Sequence, residues 1–465
     1  MGFFDNTSTG EMGSQEVNEL QKALSAGYGT DSANFTGGRA LIPENLESET
    51  INVVSQLKED CKIMNTVKKT PVRSTVHEVN LRTDHGEYRF TSVAEGGAAL
   101  DTNQSIERKP FNMKYLQTRR SVTKQMEAAE TFEGALASEK LSGVETIIKG
   151  AEYQCFHGDS SVIPTEFDGF ISSIRKAKEA DRNILSLRGK TIGSVGESLF
   201  DNIASTVYEK GGYLDKALFP PVLAKEIKDL FKDRIRFGVQ DSWGSMQALP
   251  DYPTAIGATI KFTGEGAGAD KFYHVKGVVS AAGDTLKRPA APASVSAVAA
   301  ANAKSAFTST DAGDYKYTVH AINQYGISAG TDVTAAVTVA AGDGVTLTIT
   351  PGSGVAATGF IICRSSKDGS VVMEMDSIGN SGEATTSYVD VNEELPGTAS
   401  MLFLTEKRIQ PVYTFGQLLP VCTFPLAPVN VAENPFLVMM FGGLELRAPK
   451  FCGLVKDISY SGGLY

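Results

Sequence analysis

Residues 131–156, TFEGALASEKLSGVETIIKGAEYQCF, carry the strongest helical period in the chain. Leu141, Val144, Ile148, Ala151 and Cys155 recur at spacings of three and four, which lines them up on one side of an α-helix. Glu145 and Glu152, seven apart, fall on another face, and Gly158-Asp159 breaks the run. An apolar stripe of this kind seats a helix on a core. The spacing therefore predicts one long amphipathic helix, with the remaining segments arranged around it.

Working back toward the N-terminus, Phe111, Met113 and Tyr115 alternate, as do Val72, Ser74 and Val76, the period of a strand. Between them lies a charged, glycine-rich stretch that includes Asp84-His85-Gly86-Glu87-Tyr88-Arg89 and Glu95-Gly96-Gly97. This predicts a long two-stranded excursion with a polar tip. An isolated hairpin is marginal in water, so such an excursion needs something to pack on. Residues 49–66 carry an approximate helical stripe of Ile51, Val54, Leu57, Cys61 and Ile63. Residues 1–48 are polar, with only Val17, Leu20, Ala23 and Leu24 hinting at a short helix. That segment reads as an arm with little core of its own.

Working toward the C-terminus, residues 185–285 read as mixed α/β. Ser194 is placed to cap a helix running to about Lys210, with Leu199, Ile203 and Val207 on its apolar side. Leu218 to Val222 is extended, Ala224 to Phe231 is helical, and Phe237 to Gly268, with Trp243, reads as loop. Arg288-Pro289-Ala290-Ala291-Pro292 is a linker signature. After it come short alternating runs, such as Tyr315–Ala321, Val345–Ile349, Gly359–Arg364 and Val371–Met375, the pattern of a β-sandwich. Residues 401–465 return to apolar runs such as Phe436-Leu437-Val438-Met439-Met440-Phe441. They are expected to complete the core begun before residue 287, which makes the sandwich an insertion.

A chain of 465 residues exceeds one ordinary core and implies several packed units. The net charge of −10 argues against a nucleic-acid-gripping surface, though an acidic wall can still enclose nucleic acid. Cys61, Cys155, Cys363, Cys422 and Cys452 are odd in number and form no CxxC pair, so free thiols are expected rather than a disulfide framework or zinc site. The start lacks the positive and apolar regions of a signal peptide, and no apolar run is long enough to span a membrane. A soluble chain made in the cytoplasm is the expectation.

The chemical motifs are weak. Gly189-Lys190-Thr191 resembles the end of a phosphate loop, but Ile184 stands where its first glycine belongs. Gly326-Ile327-Ser328-Ala329-Gly330 matches GxSxG without the strand-to-helix context of a nucleophile elbow, and reads as a turn between strands. The run Gly264–Gly268 reads as a flexible loop. His77, His85, His157, His274 and His320 form no metal motif. No catalytic residue, cofactor site or metal site is expected.

The order of parts resembles the HK97-type capsid fold, an α+β architecture of N-arm, E-loop, spine helix, and peripheral and axial domains. The chain is similar to the major capsid proteins of large SPO1-like myophages. The segments that carry this are Gly27-Tyr28-Gly29-Thr30, Arg73-Ser74-Thr75-Val76 through His85-Gly86, Met113-Lys114-Tyr115-Leu116, Phe156-His157-Gly158-Asp159, Glu166-Phe167-Asp168-Gly169 and the Pro-rich stretch at 288–292. Within the insertion, Tyr315–Gly326 resembles a late strand of fibronectin-III or Ig-like domains, while Gly359–Arg364 and Ser387–Asp390 resemble earlier ones. A circularly permuted all-β Ig-like sandwich is the expectation. The resemblance implies an arm at 1–48, peripheral-domain start and E-loop at 49–125, spine helix and peripheral domain at 126–184, axial domain at 185–287, sandwich at 288–398, and return to the core at 399–465.

It further implies a structural subunit, not an enzyme, that self-assembles as pentamers and hexamers into an icosahedral virion shell around double-stranded DNA. Assembly would take place in the host cytoplasm, with portal, scaffold and possibly a maturation protease or decoration proteins as partners. Arg89, Glu95, Arg119 and Arg120 are the candidate inter-subunit contacts. Lys109 and Lys114 lie near the E-loop, but no matching Asn or Glu is identified, so no covalent crosslink is expected. The alternatives are another phage structural protein of tail or decoration type, an enzyme with an Ig-like accessory module, and an encapsulin, which shares the fold.

Overall fold

The computed structural model describes residues 60–129, 134–232 and 251–465, apart from 87, 90, 100, 407, 409 and 429–431. The expected arm, most of the 49–66 helix and Trp243 lie outside the described residues. The first described element is a short helix, α1 (Lys62–Thr66), followed by strand β1 (Lys69–Pro71). The excursion follows as β2 (Val76–Asp84) and β3 (Ser105–Asn112), an antiparallel ribbon in register from Val76↔Asn112 to Asp84↔Ser105. Val72 and Ser74 precede the strand and do not share it. The Phe111–Tyr115 alternation spans two strands rather than one. The buried Met113 separates β3 from β4 (Lys114–Thr123), which leaves the ribbon and joins the body.

The long helix is α2 (Ala135–His157), and α3 (Phe170–Arg175) follows it. Its buried residues are Gly143, Ile147, Ala151, Glu152, Cys155 and Phe156. Leu141, expected in the stripe, is 63% exposed. The helix meets the sheet beneath it at Gly143, where a Cβ would lie 2.8 Å from Val438 Cγ2. Leu141, two residues and about 200° away, faces water. Glu152, expected on a polar face, is fully buried. It accepts the backbone N–H groups of Ile63 and Met64 at 2.8 and 2.7 Å, so α2 caps α1 from the side. Ile147→Ala should therefore cost about 2–5 kcal/mol and Leu141→Ala less than about 0.5, measured by urea unfolding of the unassembled chain.

Next come β5 (Ile184–Ser186), a single turn at Ile192–Val195, α4 (Ser198–Glu209), β6 (Lys216–Phe219), α5 (Ala224–Leu230) and β7 (Gly268–Ala269). The helix expected from Ser194 is interrupted. Thr191, not Ser194, supplies the cap, and Gly196 at φ 77° stops the first turn before α4 begins. The buried Leu199, Ile203 and Val207 face the core as expected.

The sandwich segment contains β8 (Ala282–Gly283), β9 (Ser294–Ala301), β10 (Tyr317–Asn323), β11 (Gly326–Asp332), β12 (Asp343–Thr350), β13 (Gly359–Ser365), β14 (Val372–Gly379) and β15 (Thr386–Asp390). They form a five-stranded sheet, β8-β11-β10-β13-β14, and a three-stranded sheet, β9-β12-β15. Val319, Ala321, Phe360 and Ile362 of the first pack with Val295, Val345, Leu347 and Ile349 of the second. The GxSxG stretch is not a turn but the start of β11. Ser328 is buried there, accepting the Ala321 N–H and donating to the Ala329 carbonyl.

The chain then returns as β16 (Ala399–Leu404), β17 (Tyr413–Pro425), β18 (Glu433–Leu446) and β19 (Gly453–Ile458). One sheet runs β1-β17-β18-β4, with α2 packed against it through Phe436, Val438 and Met440. The other runs β5-β19-β16-β6-β7. In it, β16 pairs directly with β6, Leu402 opposite Leu218. Strands from before and after the sandwich segment thus lie side by side in one sheet. Phe200, Phe231, Phe262 and Phe403 close the core over it, with ring centroids 5.3–6.0 Å apart.

Candidate interaction surfaces

Among the described residues the β2–β3 ribbon is a two-stranded sheet with no third strand, and its residues are exposed or half-buried. Its tip shows Tyr88 at 86% and Val93 at 53% exposure. Among the described residues, contacts from His77, Lys109 and Glu107 tie it to the body. His77 Nδ1 lies 2.6 Å from the buried Glu445 carboxylate, Lys109 Nζ donates to the Leu446 carbonyl at 3.1 Å, and Lys178 pairs with Glu107 at 2.7 Å. A ribbon this long cannot order itself by its own apolar contacts. Its free length is a surface that fits a partner.

Arg89 and Glu95 sit exposed on the tip of this ribbon. Arg119 and Arg120 do not join them. Arg119 pairs across the sheet with Glu433 at 2.7 Å. Arg120 reaches Glu139 at 3.0 Å and Thr146 at 2.9 Å, fastening β4 to α2. Lys114 donates to the Pro164 carbonyl.

A second feature had no signal in the sequence. A cleft of about 400 Å³ lies where the sandwich meets the body, lined by Arg175, Lys276, Glu374, Asp376, Lys456 and Asp457 among others. Glu394 is its hub. Its carboxylate is 3.1 Å from Arg175, 2.6 Å from Lys276 and 2.7 Å from Lys456, while Arg175 also reaches Asp376 at 3.2 Å. Desolvation opposes its charge, but Lys276, Arg175 and Lys456 together hold the Glu394 carboxyl far below the usual carboxylate range. Beside this cluster, burial and the neighbouring His274 push His157 down to about 3. The ring is neutral and its Nε2 accepts the His274 backbone N–H at 2.8 Å. Backbone contacts add to the junction, since Glu374 N–H donates to the Gly277 carbonyl. Arg188 donates to the Ala306 carbonyl at 2.9 Å. The participants come from positions 175 to 457, so no local spacing could reveal them.

His320 and His77 are both engaged in hydrogen bonds, Gly189 lies in a turn, and Thr191 caps the helical turn that follows. Among the described residues no group of three or more His, Cys, Asp or Glu is placed to hold a metal ion. No described helix is long and apolar enough to cross a membrane.

No protein-family model matches the chain. Among curated proteins, a protein of Enterococcus phage phiEF24C is 27% identical over 470 residues, covering 95% of both chains. The major capsid proteins of Staphylococcus phages S25-3 and K are each 25% identical over 473 residues, again covering 95% of both chains. Among solved structures, the capsid of a native GTA particle superposes with a TM-score of 0.46 at 10% identity, covering 93% of this chain and all of that one. The SrpI encapsulin of Synechococcus elongatus PCC 7942 superposes at 0.43 with 8% identity, covering 92% of this chain and 97% of that one, and a structure from Mycobacterium phage Adephagia at 0.44 with 8% identity, covering 92% and 98%.

Proposed function

We propose that this chain, a major capsid protein of a tailed phage, joins its neighbours in the icosahedral shell chiefly through the β2–β3 ribbon. The observation that carries this is the ribbon itself, whose two strands are exposed or half-buried along their whole length. Laid on an adjacent subunit, it would exchange that solvation for buried interface. Summed over a closed symmetric shell, modest contacts of this kind become collectively stable. Arg89 and Glu95, at the exposed tip, are the charges positioned to meet a neighbour. Arg119 and Arg120 serve first within the subunit.

In this reading the chain has the HK97-type fold. Residues 1–48 are the arm, 49–125 hold the E-loop, 126–184 the spine helix and peripheral domain, and 185–287 with 399–465 the axial and peripheral core. Residues 288–398 are an Ig-like insertion that projects from the outer face. The strand order supports a permuted module. In an ordinary Ig sandwich the first two strands share a sheet. Here β9 pairs with β12 while β10 and β11 form a hairpin beside β13 in the opposite sheet. Pentamers and hexamers, a portal, a scaffold and possibly a maturation protease or decoration proteins complete the assembly in the host cytoplasm. The net charge of −10 suits a wall that encloses double-stranded DNA without gripping it.

The test replaces residues 84–105 with a two-residue turn and co-expresses the variant as the parent is expressed. The variant subunit should unfold at nearly the parent temperature, because the removed residues add little to either core. Negative-stain electron microscopy should show shells for the parent and none for the variant. Closed shells from the shortened chain would refute the ribbon's role.

A further inference from the structure

We propose that Glu152 and Asp270 share one proton and act as a pH-sensitive latch holding α1 to the long helix. Both side chains are almost completely buried, at 0% and 1% exposure. Glu152 already accepts two backbone N–H groups from α1. Asp270 accepts the Phe272 N–H at 2.8 Å through Oδ1. Its Oδ2 is buried without a hydrogen-bond partner, and Glu152 is the acidic neighbour whose charge it feels. Two carboxylates so placed would repel in a dry site. One proton between them turns the repulsion into a hydrogen bond and satisfies the orphaned oxygen. The proton belongs to the pair, which titrates as a unit.

The surroundings favour a singly ionised pair. Lys62 stands near Asp270, with its Nζ donating to the Ala267 carbonyl at 2.8 Å, and so balances one negative charge. The other charged groups facing the site are engaged elsewhere. Lys271 pairs with Asp60 at 2.7 Å, and Lys149 with Glu145 at 3.5 Å. Cys61 and Cys155 are thiols pushed upward by burial, and they stay neutral. Burial first, and Asp270 second, raise the Glu152 carboxyl from its ordinary 4.5 to about 8. A group raised on folding favours the closed latch most below its free value. That contribution declines as pH rises toward the folded value and is flat above it.

Hydrogen exchange at the Ile63 and Met64 amides, in the unassembled full chain, reads the latch directly. Once corrected for intrinsic rates, protection should fall about tenfold per pH unit from about pH 6 to about pH 8, then level off. Asp270→Asn removes the second carboxyl and, with burial alone left to raise Glu152, should end that decline at a lower pH than in the wild type. A wild-type profile that is flat, or an Asp270→Asn profile that levels off at the same pH as the wild type, overturns the proposal. Infrared spectroscopy of the wild-type chain gives a second reading that needs no variant. A protonated carboxylic acid band at neutral pH should fade in step with the loss of Ile63 protection. Absence of that band at neutral pH also overturns it.

Discussion

Arg364→Ala is expected to destabilise the chain by about 3–5 kcal/mol, among the largest effects a single substitution can have here. Arg364 is fully buried in the sandwich. Its Nη1 donates to Asp390 at 2.6 Å and its Nη2 to Asn392 at 2.7 Å. The Tyr317 hydroxyl donates to the same Asp390 oxygen at 2.8 Å. Phe307 and Tyr315 stack about the guanidinium, with centroids 5.3 and 5.1 Å from Cζ. Truncation leaves the buried Asp390 carboxyl without its cation, which costs more than the pair itself contributes. Thermal unfolding should show the loss, and hydrogen exchange should localise it to residues 294–390. A variant as stable as the parent would mean that Asp390 finds another donor and that the buried pair does not hold the two sheets together.

Glu394→Ala is expected to cost about 2–4 kcal/mol. This is less than the roughly 3–5 of a fully buried pair, because Lys276 and Arg175 keep some water. Three cations lose their common counter-charge at once. The damage should be local, so limited proteolysis should open the crossings between sandwich and body near residues 277–293 and 391–398 while both cores stay protected. Acid should act in the same direction. A carboxyl held far below its ordinary 4.5 contributes stability that is complete above that value and lost as pH falls below it. Resistance to protease unchanged by the substitution would show that backbone contacts alone set the sandwich in place.

Much of the architecture is legible in local patterns. The period around residues 141–155 is enough to declare the long helix, because an apolar stripe can be satisfied only by a helix seated on a core. The polar, glycine-rich stretch between two extended runs declares the ribbon, although Val72 and Ser74 fall before its first strand and Tyr115 beyond its second. The alternating segments after Arg288 declare strands, because each face of a strand reports its own environment. Such signals depend on neighbours in sequence, and sequence alone therefore determined most of the elements that form.

What lies outside those patterns was decided by which surfaces meet. Leu141 faces water because Gly143 lets Val438 approach the helix two residues further on. Glu152 is interior because α1 needs acceptors for its N–H groups and Asp270 arrives from a distant loop. Arg119 and Arg120 pair within the subunit because Glu433 and Glu139 stand within reach. The Glu394 hub gathers charges from three separate segments. Burial of a charge is stable only when its partner is within a few ångströms, and that proximity is set by the folded chain. The sequence by itself determined the elements and the kind of assembly they serve; only the tertiary structure decided where its polar groups could afford to be buried.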